Sequence, residues 1–379
     1  MPTSRSQASP EPREHSPAAR SSVRSLGRSS VHPPARPTTR ATTIAGASLI
    51  GVLGLLALAG CSSDDGAQGP ASTDSSAPSS SAPATSSSYA PVSLDNCGTK
   101  VEVTAPPSRV VTIKSSATEM MLALGLADKL VGTAFADGPV PEQWAAAAAK
   151  VPVLSPQVPG QEAVLALDPN FVYGGWESNF SADGAGERGT LAKLGIGTYV
   201  SPAACKEPAY MPDPLTFDDV YGEVREVGSI FGVPDRADAV VDDMRSTLAS
   251  AKRPADKPTA LWYSSGTDTP YVGAGIGSPQ MIMDAAGLTN IFADVHDTWT
   301  PAGWEKIVAA DPSVIVLVDA SWNTAADKIA LLESNAATRE LTAVKEKRYL
   351  TLPFASTEAG VRNAEAVVSL DAQLAALDS

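Results

Sequence analysis

Two short stretches of this chain are variants of one another, and a chain built on them has few folds open to it. The first is Gln161-Glu-Ala-Val-Leu-Ala-Leu-Asp-Pro-Asn-Phe-Val-Tyr173; the second is Trp304-Glu-Lys-Ile-Val-Ala-Ala-Asp-Pro-Ser-Val-Ile-Val316. Each carries a glutamate, an apolar helical turn or two, Asp-Pro, and then a β-branched or aromatic run. A short amphipathic helix is stopped by proline, which brings no amide donor and restricts the residue before it. The uninterrupted apolar run after it suits a strand buried on both faces of a parallel sheet. A helix leading straight into such a strand is half of a βαβ unit, and two copies predict two α/β lobes of similar design. Asp-Pro after a helix is also a common stop signal on its own; the match of Glu162 with Glu305 argues for repetition.

The 379 residues suffice for two domains with sizeable cores. Residues 1–60 stand apart, with seven arginines against two acids and then an apolar run from Ala45 to Ala59 ending in Leu58-Ala-Gly-Cys61. A basic start, a short apolar centre and small residues before a cut read as an export signal, short for a membrane span. The Leu-Ala-Gly-Cys ending resembles the lipobox of bacterial lipoproteins, and the resemblance implies that Cys61 becomes the lipidated N-terminus. Residues 61–91 are Ser/Ala/Pro-rich, with too little apolar content to offset their ordering entropy, so they are expected to be a disordered tether. The removed segment carries a net charge of +5, so the chain's −14 becomes about −19 after cleavage. That balance argues against nucleic acid as a partner and against broad adhesion to anionic lipid. Besides Cys61 there are Cys97 and Cys205; in an exported protein an even pair predicts one disulfide.

From Val92 onward strands and helices alternate. Arg109–Ile113 is a strand candidate followed by Lys114-Ser-Ser-Ala-Thr118, whose hydroxyls suit N-caps, and a helix over Glu119–Leu126. Leu130–Thr133 and Val151–Leu154 read as strands around a helix at Pro141–Ala149, and a helix over Gly184–Leu194 leads to the strand Ile196–Val200. Alternation then breaks. Thr216–Phe231 and Pro234–Lys252 are both helical, with Pro234 in a first-turn position and Ala237, Val240, Val241, Met244 and Leu248 on one stripe. The expected organisation is therefore an N-terminal α/β lobe at 92–233, an interlobe helix at 234–253 and a C-terminal α/β lobe at 254–379. In the last segment Ala260–Tyr263, Pro270–Val272 and Arg348–Leu352 are strand candidates, and a closing helix spans about Glu358–Leu377 with Val361, Ala364, Val368 and Leu374 on one face. Met121 and Gly125 at one helix end are echoed by Met283 and Gly287 at another.

No catalytic signature is present: there is no Gly-x-Ser-x-Gly elbow, no His-Glu-x-x-His and no phosphate-loop lysine, and Gly273-Ala-Gly275 has Ser278 where a dinucleotide fingerprint needs its third glycine. His296, beside Asp294 and Asp297, reads as a solvated loop residue. Neither a metal nor a cofactor is called for. The ensemble of Arg109-Val-Val-Thr-Ile113, the Glu162 unit ending in Tyr173, the helix after Pro234, Asn290-Ile-Phe292 and Glu305 to Val318 resembles the substrate-binding lipoproteins of cobalamin- and ferric-siderophore-type ABC importers, over about residues 95–379. The resemblance implies two Rossmann-like lobes with central parallel sheets, joined by a single long rigid helix, with ligand in the cleft between them and no enzyme activity. Within that family, Ser115-Ser-Ala-Thr-Glu-Met-Met121 and Gly175-Trp-Glu-Ser-Asn-Phe180 look like a subgroup proposed to carry a precursor of the deazaflavin coenzyme F-420 without its glutamate tail. It further implies a monomer anchored through Cys61 on the extracellular face of the cytoplasmic membrane, with Glu162 and Glu305 facing the arginines of a permease.

Ligands of open α/β sheets sit beyond the carboxyl ends of the strands. The loops there hold hydroxyls and tryptophans, which suit a flat ring, while amides at a helix start suit a phosphate or carboxylate. The expected ligand-facing residues are Ser115, Ser116, Trp176, Asn179, Tyr263, Ser264, Trp322 and Arg362. Trp299 and Trp304 also lie at the edges of expected elements. For each tryptophan, packing against its own lobe is an equal alternative, and Arg362 fits a pair with Glu358 on the last helix as well as it fits a ligand. Two further classes stay open from sequence: an extracellular enzyme using the same cleft, and a structural or adhesion lipoprotein.

Overall fold

The computed structural model describes residues 89–377. The export segment, Cys61 and the tether as far as residue 88 lie outside the described residues. The first lobe opens with a hairpin that adds to the expected alternation: β1 (Val92–Asn96) pairs antiparallel with β2 (Thr99–Val103). Its turn residues Cys97 and Gly98 both have positive φ, 52° and 72°, the backbone that matches the twist of two paired strands. The chain continues through β3 (Val110–Ile113), α1 (Ser115–Ala123), β4 (Leu130–Ala134), α2 (Glu142–Ala148), β5 (Val153–Ser155), α3 (Gln161–Leu165), β6 (Phe171–Gly174), α4 (Arg188–Lys193) and β7 (Gly197–Val200). The strands form a parallel sheet in the order β5-β4-β3-β6-β7. Asn96 locks the hairpin to this sheet, accepting from Val200 N and donating to Val200 O, both at 2.8 Å. A disulfide joins Cys97 to Cys205 beyond the end of β7.

Two helices follow without a strand between them, α5 (Phe217–Ile230) and α6 (Pro234–Ala249). Thr216 and Asp219 cap the start of α5 reciprocally. The second lobe contains β8 (Thr259–Ser265), β9 (Tyr271–Gly273), α7 (Ser278–Ala285), β10 (Thr289–Asn290), β11 (Trp299–Pro301), α8 (Trp304–Ala310), β12 (Val314–Asp319), α9 (Ala325–Ser334), α10 (Thr342–Lys345), β13 (Tyr349–Pro353), α11 (Phe354–Thr357) and α12 (Asn363–Leu377). Its sheet runs β11-β9-β8-β12-β13, with β10 also against β8. Strands β10, β8, β12 and β13 are parallel, but β9 pairs antiparallel with both β8 and β11, so this sheet is mixed where a parallel one was expected.

The repeated units occupy equivalent places. In each, a short helix ends, an aspartate turns through positive φ (Asp168 47°, Asp311 39°), and the strand after Pro is buried inside its sheet: β6 between β3 and β7, β12 between β8 and β13. The weaker echo is structural too. Leu126 N bonds Met121 O at 2.9 Å and Leu288 N bonds Met283 O at 2.8 Å, with Gly125 and Gly287 at φ 67° and 73°. Both helices thus end in the same glycine-dependent cap, which satisfies carbonyls that the helix leaves over.

Three elements depart from expectation by four residues or more, and α6 ends three residues early at Ala249. Helix α1 begins at Ser115, four residues early, and its N-cap is Lys114 with no side-chain cap. The hydroxyls are used elsewhere: Ser115 Oγ accepts from Asp137 N (2.9 Å) and Thr118 Oγ1 bonds Thr133 Oγ1 (2.8 Å). Helix α4 is shorter than Gly184–Leu194 because Gly184 to Gly186 form a turn. The closing helix is broken between Thr357 and Asn363, and its buried stripe is Ala364, Val367, Leu370 and Leu374, with Val368 half-buried.

One apolar core runs through the joint. It includes Phe171 and Tyr173 of β6, Val224 and Val227 of α5, Val241 and Met244 of α6, Trp262 and Val316 of the second sheet, and Val367 of α12. Helix α6 is packed against both α5 and α12, so it is one member of a buried helical joint rather than an isolated strut. Each sheet has a separate core on its far face, the first around Val172 and Leu191 beside the disulfide, the second around Tyr263 and Leu317.

Candidate functional site

Loops at the carboxyl ends of β3, β6, β7, β8 and β12, with the β13–α11 segment, converge on one cavity of about 320 Å³. The first lobe lines it with Ser116, Gly175, Trp176, Ser178, Ser201 and Lys206, and the second with Ser264, Ser265, Tyr271, Ser278, Thr298, Trp299, Trp322, Phe354, Thr357 and Glu358. The composition is hydroxyls, aromatic rings, one carboxyl and one rim lysine. Parallel strands direct their following loops to one end of a sheet, and two such ends facing each other make a cleft. Gly175 is required by close approach: a Cβ there would lie 2.6 Å from Ser116 Oγ and 2.9 Å from Lys114 Cβ.

The first-lobe wall is ordered from behind by a buried ion pair. Lys114 sits at φ 83° with its side chain fully buried, and its ammonium pairs with Asp137. The same nitrogen lies 3.7 Å from the centre of the Trp176 ring, 4.3 Å from Phe135 and 4.6 Å from Phe354. Cation–π attraction in so dry a place is worth ~2 kcal/mol and fixes where the rings stand. Phe354 belongs to the second lobe, so the ammonium is shared between lobes. Ser321 N bonds Asp137 O (3.4 Å), again from lobe to lobe.

Glu358 is the second fixed point. Its carboxyl accepts from the indole Nε1 of Trp176 and, at 3.2 Å, from Ser116 Oγ. Burial pushes it up to about 7; the Lys114 ammonium and the two hydrogen bonds pull it down, and the Asp137 carboxylate raises it. Beside it, Arg362 Nη1 pairs with Glu119 Oε1 at 3.4 Å, and Glu119 is likewise pushed up to about 7, mainly by burial, against the pull of Arg362. On the opposite wall Lys328, lowered to about 8 by burial, donates to Val318 O and Asn323 O, and so holds the loop that presents Trp322. Trp322 is 51% exposed and packs edge-on to Phe354. Ser264 Oγ is buried with no hydrogen-bond partner in the protein; a buried hydroxyl without one invites a ligand.

Of the expected ligand-facing residues, Ser116, Trp176, Ser264 and Trp322 line the cavity. Four lie behind its wall. Ser115 bonds Asp137 N, and Asn179 holds Trp176 N (3.0 Å). Tyr263 donates to Gly266 O and packs on Trp304, and Arg362 is engaged by Glu119 and Glu365. Trp299 lines the cavity, whereas Trp304 Nε1 donates to Thr267 O (2.9 Å) outside it. Lys114, Asp137 and Glu358, which organise the wall, were not among the expected site residues; a lysine placed directly after an apolar strand at its carboxyl end is the one local signal for them. Glu162 and Glu305 are exposed in the first turns of α3 and α8. His296 is exposed, 4.0 Å from Asp213. Among the described residues no three His, Cys, Asp or Glu side chains are grouped to hold a metal ion.

Residues 110–355 match the periplasmic binding protein family. A vitamin B12-binding protein of Pectobacterium atrosepticum is 25% identical over 234 residues, covering 60% of this chain and 75% of that one. An uncharacterized ABC transporter substrate-binding lipoprotein of Bacillus subtilis is 26% identical over 289 residues, covering 74% and 84%. The crystal structure of a periplasmic binding protein from Veillonella parvula superimposes with a TM-score of 0.67 at 26% identity, over 75% of this chain and 97% of that one.

Proposed function

This chain belongs to the periplasmic binding protein family, and on that premise we propose that it captures one small organic ligand between its lobes and delivers it to the permease of an ABC importer. The observation that carries the reading is the cavity: both lobes wall it, and flat rings and hydroxyl-bearing residues line it. The flat rings and hydroxyls of the lining suit a flat heterocycle with polar substituents, of which a deazaflavin is one.

The remaining parts of the reading follow the same premise. Residues 92–233 and 254–379 act as the capturing lobes, with 234–253 between them. Cys61 carries the lipid that keeps the chain, as a monomer, on the extracellular face of the cytoplasmic membrane; the lipoprotein relative supports this. Glu162 and Glu305, one exposed acid on each lobe, meet basic residues of the permease. The chain binds without turnover, as the names of its relatives, a vitamin B12-binding protein and a substrate-binding lipoprotein, support. Native mass spectrometry of the protein purified from its own cells tests this. The expected spectrum has one added small organic mass that is unchanged after incubation. A chemically altered mass would replace binding with catalysis, and no added mass from cells competent for uptake would remove the ligand reading.

A further inference from the structure

The buried hydroxyls that line the cavity share one hydrogen-bonding sense. They belong to Ser116, Ser201, Ser264, Ser278, Thr298 and Thr357. Five of the six give their only proton to an oxygen of the protein. Ser116 donates to Glu358 Oε2 (3.2 Å) and Ser201 to Glu223 Oε2 (3.0 Å). Ser278 donates to Thr357 O (2.6 Å), Thr357 to Phe354 O (2.7 Å) and Thr298 to Asp297 Oδ1 (3.4 Å). A hydroxyl has one proton and two lone pairs, so each of these oxygens is left able only to accept. Turning one round to donate into the cavity would take a partner from a carboxylate or carbonyl inside the protein, which costs more than the new bond returns. The Trp176 indole is committed in the same way, to Glu358, whose two oxygens each receive one protein donor. Ser264 alone in this inner set has no protein acceptor for its proton. Donors open to solvent stand at the mouth instead, on the exposed residues Ser178, Lys206, Tyr271 and Trp322.

We propose that the inner wall reads hydrogen-bond donors: it takes the end of a flat heterocycle that carries several O–H or N–H groups, such as a polyhydroxylated chain, and turns away a carboxylate, a phosphate or an esterified chain at that end. An anionic group on the same molecule is accommodated only at the mouth, beside Lys206. The start of α1, where amides would suit an anion, is already served by the protein, since Ser115 N bonds Asp137 Oδ2 (3.4 Å). This class rests on the cavity being the ligand's seat, as proposed above. A wall built to accept gains from every matching donor, and it leaves acceptor facing acceptor when the donor is missing, so it discriminates by tenfold or more.

Two pairs of probes share a flat ring and differ in whether the chain on it can donate. Riboflavin is compared with its tetraacetate, in which the hydroxyls are capped, and adenosine with dideoxyadenosine, in which two are deleted without added bulk. Calorimetry on the full chain, stripped of any co-purified molecule, is run at pH 8, above the value of about 7 for Glu358, so that this carboxyl also only accepts. In at least one pair the hydroxylated member should bind roughly tenfold or more tightly than its partner. Ser201→Ala with Ser278→Ala removes two acceptors and should narrow that gap roughly threefold or more, while the affinity for the capped or deleted probe holds. Equal affinity within both pairs overturns the donor-reading wall, as does tighter binding of the capped or deleted members, or failure of both hydroxylated probes to bind. A gap that the double substitution leaves whole overturns it too. Capture itself is decided separately, by the mass released from the native protein.

Discussion

Glu223 is buried within the first lobe, where it accepts from Tyr173 (2.8 Å) and Ser201 (3.0 Å) and is pushed up to about 7, first of all by burial. With Glu119 and Glu358 it makes a set of three carboxyls that hold protons in the folded chain at pH values where the unfolded chain has lost them. A folded-state value above the unfolded one means that the stability from these groups is complete below about pH 4.3 and is lost as pH rises to about 7. The carboxylates held below their ordinary range, Asp311, Asp327 and Glu340, are exposed and act in the opposite sense only at lower pH. The melting temperature is therefore expected to be higher at pH 5 than at pH 8, and Glu223→Gln should flatten the dependence; a melting temperature that climbs from pH 5 to pH 8 would contradict this. These groups show what a sequence conceals. Ser116 and Glu358 are 242 residues apart, and nothing near either one announces the other. Trp176 and Ser116 were legible as cavity-lining residues because they follow apolar strands at the sheet's carboxyl end. Arg362 was not: its position near the cleft is real, but the acid that claims it, Glu119, lies on the other lobe.

At the scale of elements much more was legible, because the signals are local. The helix–Asp-Pro–strand unit, the paired glycine caps and the stripe on α6 all state their geometry within a few residues. The β1–β2 hairpin was not read from the sequence, although residues alternate on either side of Cys97-Gly98, because a turn that contains a cysteine reads first as a disulfide position. The antiparallel pairing of β9 with β8 and β11 was not legible either, since three-residue strands carry too little pattern to set direction. The disulfide ties the hairpin turn to the end of β7 across 108 residues. Cys97→Ser with Cys205→Ser should cost about 2–4 kcal/mol in urea unfolding, and an unchanged midpoint would show that the Asn96 and Arg188 bonds suffice. The repeated units bear the second element-scale prediction. Charges at an interface rim govern encounter and register, and salt screens them. Glu162→Arg with Glu305→Arg should slow uptake in cells, most at low ionic strength, while ligand binding in solution is unchanged; uptake at the original rate would leave both residues as favourable helix-start acids and nothing more.

The described residues form two large sheets and the β1–β2 hairpin around a helical joint, with one core passing from lobe to lobe through α5, α6 and α12. Bending that joint would break packed apolar contacts, so small-angle scattering should record almost the same radius of gyration with and without ligand; a large decrease would require a hinge that this core does not offer. The joint leaves the cavity walls as the part free to choose a ligand, and Trp176 and Trp322 stand on opposite lobes of it. The most direct measurement is the affinity of the small molecule extracted from the native protein, read by calorimetry for the unaltered chain and for Trp176→Ala with Trp322→Ala. With each ring contributing ~1 kcal/mol or more to stacking, the double variant should bind at least roughly tenfold more weakly while remaining folded. Equal affinity in the two proteins would mean that the ligand sits somewhere other than between the lobes.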